Sequence, residues 1–266
     1  MNIYQQHWPG VRAIEKRLHT KMTGILANSR RVLHDLLAEG CRPDQTAIIY
    51  NGVALPEATP GKGRAEIRQS LGITDDALVA IVVANLISYK GHADILTALG
   101  QAGDRLPKTW RLVCVGRDEG ERSNLECMAR DLGIASHVIF AGVRRDVADL
   151  LHASDLSILA SHEEGFSNAV IEAMAAGLPL IVTDVGGNGE AVIDGQHGLV
   201  VPARNPERLG EAIVRLFGDG DLRQQMGSAA GERARTTFSM DACVDRYEAT
   251  YRGLLAGKTM GEIDLD

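Results

Sequence analysis

Residues 164–182, EGFSNAVIEAMAAGLPLIV, hold a turn, a helix and the start of a strand, and this succession decides the fold. Ser167 or Asn168 can cap the helix, and Gly177 can end it. The strand that follows is predicted at residues 180–185, and its apolar start is typical of strands buried on both faces. One face of the helix carries the apolar side chains that we expect to pack on a sheet: Val170, Ile171, Met174 and Leu178.

The same alternation of strand and helix continues along most of the chain. Runs rich in Val and Ile predict strands at residues 78–86, 111–116, 137–142, 156–160, 180–185 and 199–201. Helical patterns lie near residues 91–101, 121–133, 146–152, 168–177, 187–193 and 206–217. This spacing predicts an α/β fold, a doubly wound parallel sheet with right-handed crossovers. Ligands of such sheets bind at the carboxyl ends of the strands, so the loops there are the candidate site.

Pattern and composition divide the chain into four parts. Residues 1–53 hold a helix, predicted from Arg30 to Glu39, and a strand, predicted from Ala47 to Tyr50. Residues 54–77 begin with ALPEATPGKG and are predicted to form a linker and a helix. Residues 78–240 form the main α/β domain, and residues 241–266 a last helix and a tail. The sheet domain therefore has helical extensions at both ends.

Composition narrows the classes of protein and of partner. Every long apolar stretch is broken by a polar residue or Pro, and the N-terminus lacks the apolar centre of a signal peptide. The four cysteines, which have no paired spacing, are predicted to be reduced core residues: Cys41, Cys114, Cys127 and Cys243. We therefore expect a cytoplasmic protein. An aromatic content of 4% leaves little for stacking on bases, so we expect no nucleic-acid partner.

Charge is distributed unevenly. The chain carries −7 overall, whereas residues 1–31 carry six Lys or Arg against a single Glu, so the other residues carry −12. A basic N-terminal stretch can contact anionic lipid, which would place the protein at the inner membrane face. A solvated helix face is the alternative interpretation.

Two carboxylates stand out beside the predicted helix. From Ala169 to Val182 every residue except Glu172 is apolar, Gly or Pro, and Glu164 precedes the Gly-Phe-Ser-Asn turn. Free N–H groups at a helix N-terminus bind anions, and flanking carboxylates can accept hydrogen bonds from the hydroxyls of a polyol. That combination suits a nucleotide sugar. From the pattern alone, the alternative stays open that Glu172 faces solvent and Glu164 is only a partner of the helix dipole.

The stretch EGFSNAVIEAMAAGLPLIVTDVGG resembles the signature of glycosyltransferase family 4, whose members are retaining, nucleotide-sugar-dependent enzymes with the GT-B fold. The resemblance runs from about residue 25 to about residue 256. It is carried by further motifs in the family's order: ANSRRV, IIYNGV, VVANLISYKGH, LVCVG, VIFAGV, LLHASDLSILAS and GQHGLVVP. The fold that it implies for residues 78–240 is a Rossmann-like, nucleotide-sugar-binding GT-B donor domain.

The resemblance also implies roles for individual residues. Glu164 is then the catalytic residue, which contacts the donor sugar, and Glu172 accepts hydrogen bonds from the ribose hydroxyls. Lys90 matches the lysine that neutralises the diphosphate. Asn85 stands where the family usually has Arg, so one cation of the diphosphate site is absent. The other implied donor-binding groups are the amides of Gly165, Phe166, Ser167 and Asn168, and a base-binding loop at Gly142, Val143 and Arg144.

Partners and cofactors follow from the same resemblance. It implies a UDP- or GDP-sugar as donor, a polysaccharide or lipid-linked glycan as acceptor, and no cofactor or metal ligand in this chain. Members of the family have two Rossmann-like domains. Residues 1–53 resemble only the tail of the N-terminal acceptor domain, and residues 241–266 resemble the helix that crosses between domains.

Three interpretations of function stay open. The first is a glycosyltransferase of polysaccharide biosynthesis that works with a separate acceptor-domain chain or as a homodimer. The second is an inactive nucleotide-sugar-binding module, such as a truncated product. The third is a sugar-nucleotide epimerase, against which the EGF and EAM elements of the signature argue.

Overall fold

The structure is a computed structural model, and it describes residues 14, 17–19, 21–55, 63–263 and 265. The chain divides into two compact units. One unit comprises residues 1–52 and 237–266, and the other comprises residues 53–236. The four-part division predicted from the sequence stays a prediction.

The described strands and helices take the following bounds. The strands are β1 (Ile25–Ala27), β2 (Thr46–Ile48), β3 (Leu78–Val83), β4 (Trp110–Val115), β5 (Val138–Gly142), β6 (Leu156–Leu159), β7 (Leu180–Thr183) and β8 (Gly198–Val201). The helices are α1 (Arg30–Ala38), α2 (Arg64–Ser70), α3 (His92–Ala102), α4 (Arg122–Asp131), α5 (Val147–His152), α6 (Asn168–Ala175), α7 (Asn188–Ala191), α8 (Pro206–Gly218), α9 (Gly220–Thr237) and α10 (Met240–Leu255).

The larger unit is built on a six-stranded parallel sheet in the order β5-β4-β3-β6-β7-β8. The doubly wound parallel α/β sheet predicted from the sequence is confirmed. The chain enters at β3, runs outward to β5, and returns to place β6 against the other side of β3. The point where this order reverses therefore lies between β3 and β6, and the carboxyl ends of these strands are where ligands of such sheets bind.

The core of the larger unit lies between the sheet and its helices. Strand residues such as Ala80, Ile158 and Ile181 are fully buried because helices cover both faces of the sheet. Helices α3 and α8 pack against each other over this core. They contribute the same type of apolar side chain: Ile95, Leu96, Leu99, Leu209, Ile213 and Leu216.

A buried arginine joins the beginnings of the two central strands. Arg68 of α2 is 2% exposed and donates to the backbone oxygens of Ala77 (2.8 Å) and Ala153 (3.0 Å). It also donates to Oδ2 of Asp155 at 2.8 Å, and the same oxygen accepts from the amide of Val79 at 2.7 Å. Because these partners precede or begin β3 and β6, the network fixes the beginnings of the two central strands.

The smaller unit holds a two-stranded parallel sheet, β1 with β2. Ser29 caps α1, because its side chain accepts from the amide of Val32 at 3.1 Å. Ser239 caps α10 in the same way through the amide of Ala242. Most of the basic stretch that precedes residue 21 lies outside the described residues. Across the described part of the chain, no helix combines the length and apolarity that crossing a bilayer requires.

One detail of the sequence-based picture is wrong, and a second holds only in part. Cys41, Cys114 and Cys243 are buried free thiols, but Cys127 is exposed on the polar side of α4. Ser167 occupies the N-cap position of α6 without making a side-chain capping hydrogen bond.

Candidate functional site

The candidate site lies where β3 and β6 end side by side. The segment after β3 contains Asn85, a short helical turn at Ser88–Lys90, and the start of α3. The segment after β6 contains Ser161 and Glu164, and it leads into α6. Because β3 and β6 are hydrogen-bonded neighbours, two segments that are distant in sequence meet at one edge of the sheet.

An ion pair joins the two segments. Nζ of Lys90 donates to Oε1 of Glu164 at 2.6 Å. The Lys90 side chain is 19% exposed and that of Glu164 is 10% exposed, so the pair is largely screened from water. Oγ of Ser161 donates to the same Oε1 at 2.7 Å. One carboxylate oxygen of Glu164 therefore receives both donors.

Two glycines allow this close approach. Gly91 has φ +72°, and a Cβ at this position would lie 2.0 Å from the carbonyl oxygen of Ala160. Gly186 has φ +54°, and a Cβ there would lie 2.1 Å from the carbonyl oxygen of Glu164. Other side chains would strain the backbone and displace the facing loop at either position.

Further contacts tie the same segments together. The amide of His162 donates to the carbonyl oxygen of Tyr89 at 2.7 Å, and Nε2 of His162 lies 2.8 Å from Oδ2 of Asp94. Nζ of Lys90 also lies 5.3 Å from the centre of the Tyr89 ring, within the range of a cation–π contact. The loop that carries Glu164 is thus held against α3 at several points.

His92 is a buried, neutral imidazole beside the ion pair. It is 4% exposed, and neither ring nitrogen has a hydrogen-bond partner among the described residues. Burial, assisted by the nearby charge of Lys90, lowers the pKa of His92 to about 4. At neutral pH His92 therefore adds no charge, and Lys90 remains the cation of this corner of the site.

A cleft of about 450 Å³ opens on the β4 and β5 side of Lys90. Four residues that the sequence singled out line this cleft: Asn85, Lys90, Val143 and Arg144. Tyr89, Gly116 and Arg117 line it as well. Val143 is 72% exposed at the rim. Oδ1 of Asn85 accepts from the amide of Arg117 at 3.1 Å, which shapes the wall of the cleft between β3 and β4.

Arg144 is held by its neighbour in the loop after β5. Its guanidinium donates to both carboxylate oxygens of Asp146, at 2.8 Å and 2.5 Å, which raises the pKa of Arg144 above its ordinary value. This bidentate pair fixes the guanidinium plane at the wall of the cleft. Arg144 therefore shapes that wall.

The N-terminus of α6 lies directly after Glu164. Gly165 is exposed, Phe166 is buried at 7% exposure, and Asn168 begins the helix. The carbonyl oxygen of Gly165 accepts from the amide of Gly187 at 2.7 Å, which anchors the turn to the loop after β7. The first-turn amides thus sit beside the Lys90–Glu164 pair, where they can receive an anion.

Glu172 lies one helical turn further along α6. Its side chain is exposed, but the surrounding protein partly desolvates the carboxyl and raises its pKa. In the described structure Glu172 takes no part in the Lys90–Glu164 pair. Its predicted role toward a ribose stays a prediction, as do the roles predicted for the other site residues.

Sequence reasoning missed four residues that build this site: Ser161, Thr183, Gly186 and His92. Oγ1 of Thr183 donates to the carbonyl oxygen of Ser161 at 2.6 Å, so the end of β7 supports the loop. A signal for Ser161 was present, since a polar residue directly after an apolar strand marks the edge where ligands bind. Among the described residues, no cluster of three or more His, Cys, Asp or Glu side chains is arranged to hold a metal.

The sequence of this chain matches a known protein family and several of its members. The profile of the family described as "Glycosyl transferases group 1" matches residues 63–233. D-inositol 3-phosphate glycosyltransferase of Corynebacterium diphtheriae is 30% identical, over 90% of this chain and 58% of that protein. The protein of the same description from Acidothermus cellulolyticus is 34% identical, over 82% of this chain and 50% of that protein. This chain thus spans little more than half the length of these curated relatives.

A solved structure agrees. Anabaena HepE in complex with UDP superposes with a TM-score of 0.80 at 25% identity, over 87% of this chain and 64% of that chain. The family profile and the relatives together confirm the resemblance to glycosyltransferases with a Rossmann-like, GT-B architecture. The chain, whose central ion pair lies at the reversal point of its sheet, belongs to the glycosyl transferases group 1 family.

Proposed function

We propose that this chain binds a nucleotide-diphosphate sugar and takes part in transferring the sugar, with retention, to a glycan or lipid-linked acceptor. One observation carries the proposal. Glu164, fixed by Lys90 at 2.6 Å and Ser161 at 2.7 Å, lies at the N-terminus of α6, beside a cleft of nucleotide size. A cation, helix amides and a carboxylate are the groups that a diphosphate and a sugar hydroxyl require.

The roles follow from the chemistry of each group. In the donor complex Glu164 accepts from a hydroxyl of the sugar and is the catalytic residue. Lys90 and the amides of the α6 first turn, from Gly165 to Asn168, receive the diphosphate and stabilise the charge that develops as it leaves. The nucleoside occupies the cleft lined by Asn85, Val143 and Arg144, with Glu172 on the ribose. No metal or other cofactor is required for this stabilisation.

The relatives support the choice of donor. The solved structure of HepE contains UDP. The relatives named D-inositol 3-phosphate glycosyltransferase are, by that name, enzymes that transfer a sugar. A UDP-sugar is therefore the donor to test first, with a GDP-sugar as the second. The absence of a cation at Asn85 is compensated in part by the helix amides, which carry partial positive charge.

Binding of the acceptor would require a further protein surface, and the smaller unit has features that a partner could cover. Among the described residues its sheet has two strands, and no residue of helix α1 is fully buried. Helix α10 exposes a stripe of large apolar side chains at helical spacing: Met240, Val244, Tyr247 and Tyr251. A two-stranded sheet is marginal by itself. We propose that a separate acceptor domain, or a second copy of the chain, covers this surface, in the cytoplasm or at the inner membrane face.

Binding without turnover is the second function, and one experiment separates it from transfer. Calorimetry would measure the affinity of the purified chain for UDP, GDP, UDP-glucose, UDP-N-acetylglucosamine and GDP-mannose. A radiolabelled donor would then be incubated with candidate acceptors, because near-attack positioning of the acceptor is worth about 7–11 kcal/mol. We expect donor binding without transfer by the chain alone. Transfer by the monomer would show that the chain positions an acceptor itself.

A matched pair of variants tests the assignment of the site. Glu164→Gln removes the charge that pairs with Lys90, whereas Glu163→Gln removes the charge of the adjacent exposed residue. We expect the first to reduce the affinity for the sugar nucleotide and the second to leave it unchanged. Equal affinities of both variants and the wild type would refute the site, and failure of every nucleotide to bind would refute the function.

A further inference from the structure

We infer that Ser161 is a positioning residue that sets the orientation of the Glu164 carboxylate for the donor sugar. This inference rests on the proposed function, because it concerns how that function's carboxylate is presented. Ser161 is fully buried and follows β6 by two residues. It is therefore placed by the end of a central strand.

The hydrogen bonds around Glu164 are asymmetric. Lys90 and Ser161 both donate to Oε1, at 2.6 Å and 2.7 Å. Oε2 has no hydrogen-bond partner among the described residues. A carboxylate that is anchored through one oxygen presents the other in a fixed direction, with its lone pairs available to a hydroxyl donor.

Ser161 is itself held in place. Its backbone carbonyl oxygen accepts from Oγ1 of Thr183, which is 2% exposed at the end of β7, at 2.6 Å. One side-chain torsion sets the position of the serine oxygen, whereas the lysine ammonium lies at the end of a long side chain with many rotamers. Of the two donors, Ser161 is the one that fixes direction.

Donor binding separates the roles of the two donors. In the proposed complex the diphosphate competes with Glu164 for Lys90, since both are anions. Once Lys90 turns toward phosphate, Ser161 is left as the anchor of Oε1. Loss of the serine hydroxyl should therefore weaken the binding of a sugar nucleotide and hardly change the affinity for a nucleoside diphosphate.

The test compares two ligands on two variants. Ser161→Ala removes the donor, and Ser157→Ala is the matched control, because Ser157 is a buried serine within β6, away from the Glu164 carboxylate. Calorimetry would compare UDP-glucose with UDP, and UDP-N-acetylglucosamine or GDP-mannose with its parent nucleotide. For Ser161→Ala we expect about a tenfold loss of affinity for the sugar nucleotide, the size of one charge-assisted hydrogen bond, and less than a twofold loss for the parent nucleotide. Ser157→Ala should leave both affinities unchanged.

The outcomes distinguish the inference from the function on which it rests. Equal losses for the two ligands, or an unchanged ratio of affinities, would overturn the positioning role while leaving donor binding intact. A wild-type protein that binds neither ligand would overturn the proposed function and the inference together. Should Ser161→Ala fail to fold, Ser161→Cys replaces the hydroxyl by a somewhat larger thiol, which is a weaker donor, and the sugar-specific loss should then be smaller but still present.

Discussion

Acidification should destabilise the larger unit through His92. The imidazole is 4% exposed without a hydrogen-bond partner among the described residues, and burial lowers its pKa to about 4 from an ordinary value near 6.5. The unfolded chain therefore binds a proton on this residue at a higher pH than the folded chain does. Stability is at its full value above about pH 6.5 and is lost as the pH falls toward about 4.

The size of the effect follows from the difference between the two pKa values. A gap of about 2.5 units limits the loss to about 3 kcal/mol, of which about 2 kcal/mol appears by about pH 5. This is a large part of the stability of an ordinary domain. His197 is a second buried histidine whose pKa is lowered, by burial and by Arg233, so the wild type should lose stability from both residues.

Variants of His92 isolate its share. Urea unfolding would be followed at several pH values by the fluorescence of Trp110, which lies in β4 of the same unit, in a Trp8→Phe background. His92→Leu and His92→Gln cannot titrate, so both should lose about 2 kcal/mol less than the wild type between pH 8 and pH 5. His92→Leu also removes two buried polar atoms without partners, and it should be at least as stable as His92→Gln at pH 8. Parallel losses in all three proteins would refute the reasoning.

Three further changes test the site. Glu172→Ala should weaken nucleotide binding by about 1–3 kcal/mol in calorimetry, with little change in the melting temperature because the side chain is exposed; a lower melting temperature with unchanged affinity would make Glu172 structural. Gly91→Ala should cost about 2 kcal/mol or more in urea unfolding and exceed Gly72→Ala, which has a similar φ of +67° but open space around it; equal costs would contradict the clash with Ala160. Donor affinity should be the same with and without EDTA, and a loss on chelation would show that a metal takes part.

The sheet could be predicted from the sequence because its physics is local. Strands buried on both faces must be apolar throughout, so a continuous apolar run such as residues 78–83 indicates a buried strand. The helix after Glu164 was equally readable, since Val170, Ile171 and Met174 recur at helical spacing and are all buried. Glycine at residue 177 ends that helix with φ +74°, as predicted.

The arrangement of the site could not be predicted in the same way. Periodicity is alike for every buried strand, so it does not reveal that β6 pairs with β3. The contact between Lys90 and Glu164, 74 positions apart, depends on that pairing and on loop conformations set by Gly91 and Gly186. The family resemblance singled out both residues but assigned them to different parts of a ligand. It gave no sign that they pair with each other.

That pairing has a consequence for how a donor would bind. An isolated lysine or glutamate in this corner would be costly to bury, whereas the pair is neutral as a whole and keeps the loop after β6 packed. In the proposed donor complex, a diphosphate that takes Lys90 would release Glu164 from its cation while Ser161 retains it. An entering sugar would then meet a carboxylate whose charge is no longer compensated by Lys90. A sugar hydroxyl that donates to Oε2 would restore part of the lost stabilisation of that charge. Recognition of phosphate and sugar would thus be coupled: phosphate binding would remove the cation from Glu164, and the sugar hydroxyl would then stabilise the carboxylate in its place.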